Sequence, residues 1–178
     1  NGVPTGPEED PIVYDGLECP ENTRAVGGAP PVGTQVWCNL TLANGTQVRH
    51  GPSFMWHANG QLAAQGQYAE DGRDGDWKFY SARGNVEMEG SYLFGKEDGE
   101  WTYYHPSGEK SESGSFVNGG RNGEWSYWNS AGIESKGTWV DGKREGTWVE
   151  LDHNGDPLRE RTYRDGRVIE QKELVGGQ

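Results

Sequence analysis

From Gly51 onward the chain alternates aromatic and polar residues in short runs, and glycine punctuates each run. The runs recur. Units begin at Gly51, Gly75, Gly99, Gly123 and Gly146, at spacings of 24, 24, 24 and 23 residues. Two residues into each unit stands Ser53, Trp77, Trp101, Trp125 or Trp148. Four residues in comes Met55, Phe79, Tyr103, Tyr127 or Glu150, followed by Trp56, Tyr80, Tyr104, Trp128 or Leu151. A turn glycine follows at Gly60, Gly84, Gly108, Gly132 and Gly155. Then comes a small residue at Gly66, Gly90, Gly114 and Gly137, replaced by Arg161 in the last unit. An aromatic stands two residues later, at Tyr68, Tyr92, Phe116, Trp139 and Tyr163. Gly72, Gly95, Gly119, Gly142 and Gly166 close the units.

This alternation has the period of a strand, not of a helix. Each unit reads as a β-hairpin that reverses at dipeptides such as Asn59-Gly60, Ser107-Gly108 and Asn154-Gly155. An isolated hairpin is marginal in water, so the units must stack. Two strands per unit at a separation of ~4.8 Å give a rise of about 9–10 Å. Stacking places Trp77, Trp101, Trp125 and Trp148 in a structural ladder, each ring packed on its neighbour. The expected fold is all-β, an elongated meander of antiparallel hairpins stabilised between neighbouring units.

The flanks differ. Residues 1–18 are rich in Pro, Gly and acidic groups and read as an extended tail. Within them Ile12-Val13-Tyr14 is an apolar patch suited to adding to a sheet edge. Residues 19–50 read as an N-terminal cap. Its strand runs from Thr34 to Leu42, turns at Asn44-Gly45 and returns over Thr46 to Arg49. The repeats fill 51–166, and 167–178 form a C-terminal strand and tail. Lys172 and Glu173 there discourage edge pairing.

Composition explains how such a chain holds a core. Hydrophobic residues make up 31%, yet eight are Trp, and burying one aromatic removes roughly 150–250 Å² from water. The net charge of -12 repels phosphate backbones and anionic lipid, which argues against nucleic acid and acidic membranes as partners. No apolar run is long enough to insert in a bilayer. Two cysteines, Cys19 and Cys38, read as one disulfide in a secreted or cell-envelope protein. The start at Asn1, without Met, is what a processed secretory protein would show. Asn39 and Asn44 head glycosylation sequons.

Units such as Gly99-Glu100-Trp101-Thr102-Tyr103-Tyr104 and Gly123-Glu124-Trp125-Ser126-Tyr127-Trp128 resemble the MORN repeat, especially its bacterial variant. The likeness runs from Gly51 to Arg167. It implies one hairpin per repeat and a role as scaffold or protein-interaction module. The last unit, with Glu150, Leu151 and Arg161 off the pattern, suits a terminal capping repeat.

Catalytic constellations are hard to find. His57 and His105 share one repeat position two units apart, roughly 20 Å by strand spacing, too far for one metal. Asp76, Glu100 and Glu124 recur at the unit start, but a ladder gives them identical surroundings, whereas an acid and a base need different ones. The run Asp71-Gly72-Arg73-Asp74-Gly75-Asp76 offers oxygen ligands for calcium without the EF-hand order, and no cofactor is otherwise expected. Trp56, Tyr80, Tyr104 and Trp128 form a second aromatic column, a candidate binding face for a protein or glycan. The leading expectation is a non-enzymatic structural protein that self-assembles through sheet edges and terminal segments into a fibre or chain. The alternative is a monomeric module that binds through the aromatic face.

Overall fold

The computed structural model describes residues 17–130, 132 and 134–174. They form thirteen strands in one antiparallel sheet whose spatial order is the order of the sequence. The strands are β1 (Thr23–Gly28), β2 (Gln35–Thr41), β3 (Gln47–Trp56), β4 (Leu62–Ala69), β5 (Gly72–Tyr80), β6 (Val86–Leu93) and β7 (Lys96–Tyr104). They continue as β8 (Lys110–Val117), β9 (Gly120–Trp128), β10 (Glu134–Val140), β11 (Lys143–Leu151), β12 (Pro157–Arg164) and β13 (Arg167–Glu173). The expected all-β hairpin array is the observed one, and Cys19 is bonded to Cys38 with Cα atoms 5.6 Å apart.

The cap differs in two respects. The return segment Thr46–Arg49 is not separate: it runs into the first repeat as one ten-residue strand, β3. An additional strand, β1, pairs with β2 outside it. Neither end is sharply marked in the sequence, because Gly51 interrupts β3 and Gly27-Gly28 end β1.

Each unit after the first is built around one tryptophan, with Ser53 in its place in the first. Trp77, Trp101 and Trp125 are 1% exposed and Trp148 is 3% exposed. Each indole lies flat over the small residue of the preceding strand, at Gly66, Gly90, Gly114 and Gly137. A Cβ at any of these would fall 2.3–2.6 Å from three atoms of the ring. At or directly after each small residue the ladder shifts register, between β4 and β5, β6 and β7, β8 and β9, and β10 and β11. Such a bulge bends the strand and leaves a carbonyl without its ladder partner. The indole N–H supplies it: Trp77 donates to Gln67 O, Trp101 to Ser91 O and Trp125 to Ser115 O, each at 3.0 Å, and Trp148 to Thr138 O at 3.2 Å. The unit-start glycine, such as Gly99 at φ 79°, supplies the left-handed turn of the bulged strand.

The tryptophans do not stack directly on one another as expected. The second-strand aromatic stands between successive rungs, edge to face. Tyr92 contacts Trp77 at 6.2 Å and Trp101 at 5.0 Å, and Phe116 contacts Trp101 at 6.0 Å and Trp125 at 5.1 Å. This is the preferred geometry for ring quadrupoles. Arginines close the same face from above. Arg49 lies over Tyr68 (4.2 Å), Arg73 over Trp77 (4.7 Å), Arg121 over Trp125 (4.2 Å) and Arg144 over Trp148 (4.4 Å). A second, smaller core of Leu17, Val36 and Cys38, with Phe54 and Trp56 against it, fills the opposite face beneath the disulfide.

The glycine contact predicts a sharp asymmetry. Gly114→Ala should lose about 1–3 kcal/mol through overpacking against Trp125. Arg161→Ala, at the matching place in the last unit, should stay within about 0.5 kcal/mol of the parent. Urea unfolding of both variants checks this, and equal losses would refute the proposed lock.

Candidate functional site

Strand alternation assigns the side chains to two faces. Trp77 and Phe79 share the ladder face, stacked at 5.8 Å, so Lys78 and Tyr80 face the other way. That far face has a layout repeated from unit to unit. Along the hairpin-turn side lie Tyr80, Tyr104 and Trp128, all half-buried. Along its middle, Ser91 Oγ donates to Asp76 Oδ1 at 2.6 Å, and Ser115 does the same to Glu100. Along the side of the inter-unit turns lie Leu93 (48% exposed), Val117 (48%) and Val140 (45%). A shallow depression over the first units is lined by Phe54, Asp76, Lys78, Glu89, Glu100 and Thr102.

The aromatic column is not uniform. Trp56 is drawn into the N-terminal cluster with Leu17 and Cys38 and leaves the row. Tyr104 donates its hydroxyl to Glu89 Oε1 at 2.6 Å, and Lys78 Nζ lies 2.7 Å from the same carboxylate. The Lys78 and Tyr104 hydrogen bonds hold Glu89 below the usual carboxylate range. Glu89 in turn pushes the Tyr104 phenol up to about 12. Tyr103, on the ladder face, is also pushed up to about 12, there by burial.

The remaining sequence candidates fall elsewhere. His57 and His105 stand at hairpin turns, and each Nε2–H donates across to the next hairpin, to Tyr80 O and Trp128 O, both at 2.7 Å. They act as clasps between units, a role that repeat position alone does not reveal. Asp71 of the acidic turn is taken by Arg49 at 3.0 Å. Among the described residues, no group of three His, Cys, Asp or Glu is placed to hold a metal. Asp76 and Glu100 occupy matching places, each accepting from a serine hydroxyl. Asn39 accepts from Trp37 Nε1 at 2.7 Å within β2, whereas Asn44 is exposed at a turn. Ile12, Val13 and Tyr14 lie outside the described residues.

Residues 49–70, 73–93 and 97–118 match the family model of the MORN repeat variant. Residues 49–118 carry three consecutive MORN repeats of the variant type. The matched segments run over β3 to β8, and the hairpins after them continue the same lock of indole on glycine. No curated protein matches the chain. Solved structures with some similarity include the glycosylation associate protein (Gap123) complex from Streptococcus agalactiae. It has 18% identity over 68% of this chain and 21% of that one, with a TM-score of 0.36. Accessory secretory protein 1, 2 and 3 in Streptococcus pneumoniae shows 9% identity over 69% and 20%, with a TM-score of 0.34. The chain spans about a fifth of the length of those matched chains. No helix among the described residues is long and apolar enough to cross a membrane.

The Glu89 link makes a titration prediction. Glu89→Gln removes the main cause of the Tyr104 shift, so the phenol should fall from about 12 toward its ordinary 10.0. A phenol raised by folding favours the native state below the unfolded value, and this contribution is lost as pH climbs through the folded one. Ultraviolet titration should therefore show one tyrosine of the variant ionising earlier than in the parent. Superimposable curves would remove the hydrogen bond as the cause.

Proposed function

We propose that this MORN array is a non-enzymatic scaffold, working outside the cell or in the cell envelope, whose copies join through their sheet edges into chains. The observation that carries this reading is the state of β13. All seven of its residues are exposed, Val168 by 50% and Ile169 by 52%. Its unpaired backbone beside Val168 and Ile169 is a template for another strand, whereas Lys172 and Glu173 guard the far end of the same edge. β1, at the other end of the sheet, is a second edge of different sequence. Contacts between unlike edges are heterologous and generate open chains. The disulfide fits an oxidising compartment. The repeated, matched surroundings of Asp76 and Glu100 support a structural rather than catalytic use of the carboxylates. Sedimentation velocity tests the reading. The average mass should grow with protein concentration, and a constant monomer would end it.

A second reading is favoured by the half-buried row Tyr80, Tyr104 and Trp128, whose rings the ladder does not consume. Such a row offers a stacking surface for a protein partner or a glycan. Trp128→Ala should then abolish binding on a glycan array or to a protein partner while leaving unfolding unchanged. Absence of any glycan signal for the parent would remove the sugar branch.

A further inference from the structure

We infer that the edge of β13 is filled by the segment around Ile12-Val13-Tyr14 of a neighbouring copy, so that assembly proceeds by strand donation from head to tail. This rests on the assembly reading above and adds the identity of the joining strand.

Reach excludes the same chain as donor to this edge. Leu17 is fixed in the cluster with Val36 and Cys38, beside the Cys19–Cys38 bridge at the β2 end of the sheet. Ile12 lies five residues before Leu17, which allows a span of at most about 18 Å in a fully extended chain. From β1 to β13 the sheet crosses twelve strand separations, roughly 58 Å along the sheet. Among the described residues β1 and β13 do not pair, so the sheet is open. Along the sheet the segment falls well short of its own β13 edge, and another molecule supplies that edge.

Charge permits the same pairing. The first sixteen residues carry Glu8, Glu9, Asp10 and Asp15 and no Lys or Arg. Residues 157–174 hold five Lys or Arg against four Asp or Glu, and residues 23–69 hold Arg24 and Arg49 with no Asp or Glu. Both ends of the sheet are thus free of the negative excess of its middle, and neither repels an acidic strand. The side chains also fit. Val168 lies opposite Tyr163 of the ladder face and Ile169 stands beside it at the register shift, each half exposed. A strand carrying Ile12, Val13 and Tyr14 sets apolar side chains against both.

The backbone shows which groups wait for a partner. Leu174 N–H donates to Leu158 O at 2.9 Å. Antiparallel bonds alternate from Leu174 back to the register shift after Glu170, so Lys172 and Glu170 also turn their backbone groups toward β12, while Glu173 and Gln171 turn theirs outward. Gln171→Pro removes an outward N–H and leaves the pairing with β12 intact, and Val13→Pro disables the donor.

The experiment is sedimentation of the full chain and of both variants, alone and mixed. The first variant retains a working donor and the second a working acceptor. The expected result is chains for the parent, monomers for each variant alone, and discrete dimers on mixing the two. Far-ultraviolet circular dichroism and thermal unfolding matching the parent establish that both variants fold. If both variants polymerise like the parent, the assembly reading stands and strand donation is overturned. If the parent is monomeric throughout, both fall. If Val13→Pro associates more strongly than the parent, the segment covers its own β1 edge and the inference is wrong.

Discussion

The structure depends on a flat contact between an indole ring and a residue with no side chain. Trp77, Trp101, Trp125 and Trp148 each use the bare backbone of a preceding glycine as a floor and bond the carbonyl just beyond it. The contact buries a large ring and satisfies a polar group that the bulge would otherwise leave exposed to loss. It also joins each hairpin to the one before it, so that neither is stable without the other. A single-layer sheet with few aliphatic residues can persist because this join is repeated four times and roofed by arginine.

This economy fixes how the rest of the surface is used. The ladder face is occupied by the protein's own rings and guanidinium groups and by the Arg121–Glu112 and Arg159–Glu150 pairs. The far face keeps partly accessible aromatics, carboxylates held by serine, and a row of aliphatic residues. Among the described residues, no strand pairs with the outer edge of β1 or of β13. The surface that maintains the fold is thereby distinct from these edges.

The period, the hairpins and the disulfide were legible in the sequence because each leaves a residue that only one geometry favours. Gly at 24-residue spacing marks turns and bulges, and Trp at the same spacing marks the buried rung. What was not legible depends on neighbours in space. Nothing local separates Trp56 from Tyr80 and Tyr104, yet the cap claims Trp56 because Leu17 and the Cys19–Cys38 bridge lie over that end. His57 and His105 look like turn residues until the carbonyls of the following hairpin are seen beside them. The tyrosine and phenylalanine spacers between the tryptophans follow from the register of two strands, which spacing alone leaves open. Phe94 is a further case. It sits at φ 49° and 80% exposed in a turn position that other units give to Asn118, Asp141 and Asp165, and nothing in the fold explains it.

Arg161 acquires a meaning from the lock that its own surroundings do not announce. The next strand carries Gln171 opposite it, not an indole, and Arg161 Nε bonds that glutamine at 2.9 Å. A unit added after this point would have to lay its tryptophan on a guanidinium-bearing side chain. The lock is therefore closed to a further ring at one position. The internal glycines each receive an indole, whereas residue 161 could receive one in the same way only as glycine.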